Sequence, residues 1–141
     1  MDHVSAAFRA LPRRTWILSA VVFAGLGVAM NAIGHGLSIA WFRSWWQVIP
    51  CYLGYVLPLA VLLRPLPRAE QWRLSILAFI PLEMVGYAIG TSVIAEGNVI
   101  AAVVGPHNFT LAMVLIVCPT PLIGNFVVDR LEGAGASASA P

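Results

Sequence analysis

Long apolar runs alternate with short polar segments along the chain. Four runs can be distinguished, over residues 15–39, 46–63, 74–95 and 109–128. An α-helix rises 1.5 Å per residue, so about 20 apolar residues cross the roughly 30 Å hydrocarbon core of a bilayer. The pattern therefore predicts an all-α integral membrane protein with four transmembrane helices.

Composition indicates the same class of protein. Hydrophobic residues make up 60% of the 141 positions and charged residues only 10%, whereas soluble domains carry roughly a quarter charged residues. The formal net charge of +2 is too small to indicate a nucleic-acid partner. Cys51 and Cys118 lie inside apolar runs without the spacing of metal ligands, so we interpret both as packing residues.

The distribution of arginine predicts the orientation in the membrane. All 8 basic residues are arginine, and only Arg43 lies on the side that contains the turn between the first two runs. The other arginines fall on the opposite side, at positions 9, 13, 14, 64, 68, 73 and 130. The positive-inside rule therefore places both termini in the cytoplasm. An arginine-only, alanine-rich composition is compatible with a high-GC bacterium, so we expect the bacterial cytoplasmic (inner) membrane.

We predict one membrane domain, residues 1–132, followed by a disordered tail, residues 133–141. The tail reads "GAGASASAP" and has no large apolar residue with which to form a core. The first apolar run is longer than the segment of about 7 to 15 residues found in a signal peptide. We therefore expect this run to be retained as a helix.

The first and third runs resemble each other at a constant shift of 56 positions. Residues 16–34, "WILSAVVFAGLGVAMNAIG", and residues 72–90, "WRLSILAFIPLEMVGYAIG", share eight of nineteen residues. A looser likeness relates "LPLAVLLRPL" in the second run to "TPLIGNFVVDRL" in the fourth. Since both copies run in the same direction, the sequence predicts a parallel repeat of two helical hairpins, residues 16–68 and 72–130. The expected fold is a four-helix bundle.

The pattern "FAGLGVAMNAIGHG" followed by "WFRSWWQVIPCYLGYVLPLAVLLRPL" resembles the small bacterial two-helix membrane proteins grouped as domain-of-unknown-function family 2798. In that family an Asn and a Gly end the first helix, a Trp-rich turn follows, and a Pro-containing helix closes with Arg or Pro. The resemblance covers residues 16–68, and residues 72–130 would be a diverged second copy with Tyr87 in place of the Asn. It implies a fold without an activity, because the family is functionally uncharacterised.

Each of the two related helices carries a stripe of polar positions. Positions 27, 31 and 35 of the first helix correspond, at the shift of 56, to positions 83, 87 and 91 of the third. The residues are Gly27, Asn31 and His35 in one stripe and Glu83, Tyr87 and Thr91 in the other. A spacing of four places each set on one helix face. Because polar groups facing lipid would lose hydrogen bonds, we predict that the two stripes face each other as an intramembrane polar site.

Glu83 is the strongest candidate for a functional residue in this polar site. It lies about 11 residues, or roughly 16 Å, beyond Trp72 and thus near the bilayer centre. No arginine lies at this depth, so we expect a neutral carboxyl group that is hydrogen-bonded to Asn31 or Tyr87. Two interpretations are open: a site that handles protons or cations, and a hydrogen bond that joins two helices.

His35 and several glycines have structural interpretations. His35 lies near the outer headgroups, and its spacing to other ligand-type side chains matches no metal motif, so we predict no metal site. Gly86 and Gly90 form a small-xxx-small pair, which indicates either helix packing within the chain or a homodimer seam. Gly27 and Gly34 are further candidates for helix packing.

The sequence has no motif for catalysis or for phosphate binding, so we do not expect an enzyme and predict no cofactor. The expected function is that of a structural or accessory membrane subunit. The alternative is a homo-oligomeric transporter or channel for protons or small cations, with its path centred on Glu83. A haem or quinone enzyme subunit is a third alternative. The expected partners are the lipid bilayer and either further copies of this chain or another membrane protein, and nucleic acid is not expected.

Overall fold

The fold was analysed in a computed structural model, which describes residues 8, 11–38, 41–42, 45–88, 101–104 and 113–138. Side chains are described in these ranges except at residues 82–87, 101, 104, 113, 116 and 135–138. Every regular element in the described ranges is helical, and none of them is a strand. The prediction of an all-α protein is confirmed.

Helix α1 extends over Arg13–Gly36, close to the predicted range 15–39. It begins directly after Pro12, whose carbonyl accepts a hydrogen bond from the Trp16 N–H at 3.1 Å. Proline suits this place because the first turn of a helix does not use its missing N–H. The chain leaves the helix at Ser38, which has a left-handed backbone with φ of 52°.

Helix α2 extends over Trp45–Leu63 and is not a uniform α-helix. It opens with a 3-10 turn, Trp45–Gln47, and contains a π-helical segment, Tyr52–Val56. Pro58 follows this segment, and its missing N–H leaves a carbonyl of the preceding turn without its usual partner, which favours a wider turn. By length and composition, α1 and α2 are the two helices in the described ranges that could span a membrane.

Helix α3 extends over Arg68–Ala88, whereas the apolar run predicts a start at residue 74. The earlier start follows from Pro67, whose carbonyl accepts hydrogen bonds from the N–H groups of Glu70 and Gln71 at 2.9 and 3.0 Å. The first turns of α3 are helical but polar, so hydropathy alone does not include them. The predicted end at residue 95 lies outside the described residues. A short helix, α4, covers Ala101–Val104.

The fourth apolar run contains a π-helical segment, Met113–Val117, and the start of helix α5, Thr120–Ala138. The Thr120 hydroxyl donates to the Val117 carbonyl at 2.7 Å, which is the carbonyl that Pro121 cannot bond. α5 continues past the predicted end at residue 128 and into the tail that the sequence predicts to be disordered. Residues 133–138 (GAGASA) extend a helix that already exists, which costs less than starting one, and their alanines favour the helix although their two glycines do not.

Helices α2 and α5 each contact the three other long helices. Helix α5 packs against α1, against the C-terminal half of α2 and against α3, while α1 also packs along α2. The core contains apolar side chains from these helices and from the turn before α5, namely Phe23, Val48, Tyr52, Val56, Leu57, Ala60, Val61, Phe79 and Cys118. The helix that comes last in the sequence therefore contacts the other three long helices.

Two glycines allow neighbouring helices to approach closely. At Gly27 a Cβ atom would lie 2.7 Å from Cγ of Tyr52, closer than side chains pack in protein interiors. At Gly124 a Cβ atom would overlap the ring of Phe23. Gly27 thus lies where α1 meets α2, and Gly124 lies where α5 meets α1. Gly34 on α1 is also buried.

Outside the apolar core, the described side chains differ in two ways from those of a typical water-soluble domain. Large apolar side chains are exposed on α1 and α3, among them Ile17, Val21, Val28, Ile33, Leu74, Leu77 and Ile80. Polar side chains are buried between the helices, namely Thr15, Ser19, Asn31, Gln71, Ser75, Thr120 and Asn125. Two of the outward side chains, Val21 and Leu77, are 66% and 62% exposed. Extended apolar surface of this kind marks contact with a membrane or with another protein.

Candidate functional site

The first predicted polar stripe packs against α2 and the turn that precedes it. Gly27 is buried against the Tyr52 ring and the Val48 side chain. Asn31 is buried, and its Oδ1 accepts a hydrogen bond from the Phe42 backbone N–H at 2.6 Å. The amide of Asn31 therefore holds the connection between α1 and α2 against α1.

His35 lies at the end of α1 and is exposed. Its imidazole packs edge-to-face on the Trp41 indole, with 5.7 Å between the ring centroids. Within the described residues, no group of three or more His, Cys, Asp or Glu side chains is arranged to hold a metal ion. The geometry of His35 is that of a ring contact at the edge of the bundle.

The second predicted stripe and its glycine pair lie largely outside the described residues. Positions 83, 86 and 87 belong to the helical part of α3, but the side chains there are not described. Gly90 and Thr91 fall beyond the described end of α3. The mutual facing of the two stripes, and the roles of Glu83, Tyr87 and Gly86, stay predictions.

A charged cluster joins three helices at one end of the bundle. We call Thr15, Arg64, Asp129 and Glu132 the Arg64 cluster. The Arg64 guanidinium donates to Asp129 Oδ1 at 2.7 Å and to Glu132 Oε2 at 2.6 Å. The Thr15 hydroxyl donates to the other carboxylate oxygen of Glu132. The start of α1, the residue after α2 and the second half of α5 therefore meet at Glu132, and the planar fork of Arg64 suits two carboxylates.

A neutral hydrogen-bonded group lies next to this cluster and is buried. The Asn125 amide of α5 donates to the Ala60 carbonyl of α2 at 2.8 Å and to Gln71 Oε1 of α3 at 3.1 Å. Gln71 in turn donates to the Leu66 carbonyl at 2.9 Å, and the Ser75 hydroxyl donates to the Gln71 carbonyl at 2.7 Å. Asn125 therefore connects α5 to both α2 and α3.

Hydrogen bonds within the Arg64 cluster favour the charged forms of Arg64 and Glu132. Partial burial alone would lower the pKa of Arg64, but hydrogen bonds to Glu132 and Asp129 raise it above its usual value. Partial burial would raise the pKa of Glu132, whereas hydrogen bonds from Thr15 and Arg64 lower it further than burial raises it. The cluster therefore joins helices through charged hydrogen bonds.

None of the residues in these two groups is among the sequence-predicted site residues, although their spacing carries a signal. Asn125, Asp129 and Glu132 are separated by four and three positions, which places them on one face of α5. Gln71 and Ser75 are likewise four apart on α3. The spacing indicates a polar face on each helix, but nothing local in the sequence identifies Arg64 as the partner.

Comparisons with models of known protein families, with curated proteins and with solved structures found no match to this chain. The resemblance to family 2798 stays a prediction. What these groups can do chemically is therefore inferred from their geometry alone. In the described residues, every fully buried polar side-chain atom has a hydrogen-bond partner. Asn125 joins helices in this way, whereas Ser75 bonds within its own helix.

Proposed function

We propose that this protein is a structural or accessory subunit of the bacterial cytoplasmic membrane, with four transmembrane helices and both termini in the cytoplasm. The observation that carries the proposal is the exposure of large apolar side chains on α1 and α3, together with polar side chains that are buried and hydrogen-bonded. A bilayer is the surrounding in which this distribution is stable, because lipid accepts apolar side chains and leaves polar groups to find partners within the protein.

The outward face of α1 has the length that a bilayer requires. Between Arg14 and His35 its exposed residues are Ile17, Val21, Gly25, Val28, Ala29, Ala32 and Ile33. At 1.5 Å per residue, Arg14 and His35 are about 32 Å apart along the helix. This length matches a hydrocarbon core of roughly 30 Å.

The two ends of the bundle differ in a way that supports the orientation. Thr15 at the start of α1 and Arg64 just after α2 both contact Glu132, so this end also carries the exposed arginines at positions 13, 14 and 68. The start of α2 instead exposes Trp45 and Trp46. The arginines fit a cytoplasmic side, while exposed indoles, which include Trp72 at the arginine end, fit a headgroup layer on either side.

Burial supports the proposed repeat of two hairpins. At the shift of 56, Thr15 corresponds to Gln71, Ser19 to Ser75 and Phe23 to Phe79. All six of these side chains are buried. In addition, a π-helical segment precedes both Leu57-Pro58 in α2 and Thr120-Pro121 in α5. Equivalent positions therefore serve equivalent packing roles in the two halves.

The saturation of the polar groups supports an accessory role over the transport alternative. Arg64 donates to both Asp129 and Glu132, while Asn31 and Asn125 bond backbone groups. Polar groups that line a transport path need unused hydrogen-bonding capacity for the substrate. Several of the described polar groups use theirs between helices, as expected of a protein whose task is to hold a shape that others bind.

Native mass spectrometry of the protein, gently extracted from its own membrane, tests this proposal. We expect a stoichiometric complex with a different membrane protein, recovered again when that second protein carries the tag. The proposal is overturned by a complex containing only this chain whose liposomes conduct protons or cations in a Glu83-dependent manner. For that measurement Glu83→Gln is compared with Glu70→Gln, which removes an exposed carboxylate from the start of the same helix.

Cysteine labelling in whole cells tests the orientation. In a background with both native cysteines replaced by alanine, we expect Ser38→Cys to react with a membrane-impermeant maleimide. Gly133→Cys is expected to react only after the cells are lysed. Labelling of Gly133→Cys in intact cells, with Ser38→Cys protected, would reverse the assigned sides.

A further inference from the structure

A shallow groove lies on the surface where α3 begins and α5 passes it. It has a volume of about 310 Å³ and is lined by Arg68, Leu122, Ile123 and Phe126. This volume is at the lower end of the range for small-molecule sites. Apart from the arginine, the lining side chains are apolar.

Two arginines lie against the same ring at one end of this groove. The guanidinium carbon of Arg68 is 4.8 Å from the centroid of Phe126, and that of Arg130 is 5.1 Å from it. Both arginines are exposed, and neither forms an ion pair with an acidic residue that the structure describes. Because both guanidinium groups lie against the same ring, an anion at this end of the groove would be attracted by both charges.

In residues 64–73 and in α5, the arginines other than this pair are neutralised, whereas Arg13 and Arg14 at the start of α1 are also exposed. Arg64 bonds both Asp129 and Glu132, and Arg73 bonds Glu70 at 3.1 Å. Arg68 and Arg130 therefore carry the local excess of positive charge. Their exposed guanidinium groups offer the fork of N–H donors that suits a phosphate group.

We propose that this groove binds an anionic phospholipid, with the phosphate on Arg68 and close to Arg130, and an acyl chain along Leu122 and Ile123. The inference rests on the proposed membrane location. Leu122 lies two helical turns before Arg130 on α5, about 12 Å along the helix axis. The site is thus apolar toward the predicted bilayer centre and cationic toward the predicted cytoplasmic surface, which matches the polarity of a lipid of the inner leaflet.

The apolar lining distinguishes a phospholipid from a free phosphate ion. Inorganic phosphate would use the two guanidinium groups and leave Leu122 and Ile123 without a contact. A zwitterionic lipid would fill the apolar part but would bring its own positive charge close to the arginines. An anionic lipid satisfies both parts of the groove.

Lipid titration of the detergent-purified full chain, followed by native mass spectrometry, tests the proposal. We expect phosphatidylglycerol to bind at least tenfold more tightly than phosphatidylcholine, and 10 mM inorganic phosphate not to displace it. Arg68→Gln and Arg130→Gln are each expected to weaken phosphatidylglycerol binding severalfold, and the double variant to abolish the preference. The matched control is Arg73→Gln, which removes an equal charge from the first two turns of the same helix, α3. This variant should retain the preference for phosphatidylglycerol.

Three results would overturn the inference. Equal affinity for the two lipids would show that the groove does not select anionic lipids. Displacement of phosphatidylglycerol by inorganic phosphate would show that the site binds a free anion. Loss of preference in Arg73→Gln as large as in Arg68→Gln would assign the effect to overall surface charge. Fractionation of the wild-type chain separates this test from the proposed function: absence from carbonate-washed membranes refutes the membrane location, whereas retention there without lipid preference refutes only the lipid site.

Discussion

Arg64 and Asp129 are 65 positions apart in the sequence, and their charged groups are 2.7 Å apart in the structure. The same guanidinium also bonds Glu132. This contact closes the bundle, because it joins the end of the first hairpin to the last long helix. Its geometry, one donor fork between two acceptors, makes Arg64 harder to replace than either carboxylate.

Replacement of Arg64 is expected to destabilise the protein more than replacement of any other arginine at this end. In Arg64→Gln, Asp129 and Glu132 lose a charged donor and repel each other, for a cost of about 1 to 3 kcal/mol. Arg64→Lys should recover part of this loss, since it keeps the charge but not the fork. The free energy of unfolding, measured by denaturant titration in mixed micelles, checks this. Arg68→Gln is the control, and an equal loss there would contradict the assigned role of Arg64.

Stability is expected to fall in acid through Glu132. Its pKa is lowered from the usual value of 4.5 in the folded protein, so its contribution to folding is complete above that value. The contribution is lost as the pH falls through the lowered folded-state pKa. Arg64 stays protonated throughout, because its pKa is raised. Thermal midpoints measured from pH 7 to pH 3 should therefore fall less steeply for Glu132→Gln than for the wild type, and parallel curves would refute the link.

A methyl group at position 124 is expected to disturb the contact between α1 and α5. Gly124→Ala places a Cβ atom within the Phe23 ring, and overpacking of this kind costs about 1 to 3 kcal/mol. Gly25→Ala is the matched control, because that position has open space around it. Phe23→Leu shortens the side chain, so the double variant should recover much of the loss. Thermal unfolding checks both, and an unrescued double variant would show that the clash is not with Phe23.

Removal of the Asn31 amide is expected to release the turn between α1 and α2. Asn31→Leu deprives the Phe42 N–H of its acceptor, at a cost of about 1 kcal/mol. Hydrogen exchange of the Phe42 amide should accelerate, while exchange in the middle of α1 should change little. Ala32→Leu, at the neighbouring exposed position, serves as the control. Unchanged exchange at Phe42 would mean that the amide of Asn31 does not hold the turn.

The helices of the first hairpin could be predicted closely because their ends coincide with the ends of apolar runs. α1 and α2 begin and end within three residues of the predicted bounds. The start of α3 and the end of α5 lie further from their predicted positions. Hydropathy detects where apolar residues stop and not where a helix stops. Pro67 initiates α3 inside a polar segment, and the alanines after Glu132 continue α5.

The candidate site could be predicted only in part, since sequence spacing identifies a face of a helix but not what lies opposite it. Asn31 is correctly placed on a buried face, yet its partner is a backbone N–H eleven positions away. The partners of Arg64 and Thr15 come from α5, at sequence separations of 65 to 117. No local pattern encodes such pairs, because they depend on which helices pack together.

The position of α5 in the chain sets an order on assembly. This helix leaves the ribosome after α1, α2 and α3, and it carries the partners of Thr15, Arg64 and Gln71. Until residue 132 has been made, those three side chains have no access to these carboxylates and this amide. A chain arrested before α5 would therefore expose unpaired polar groups to membrane proteases. The finished chain pairs these groups between its helices. Protection from degradation is thus gained when synthesis is complete.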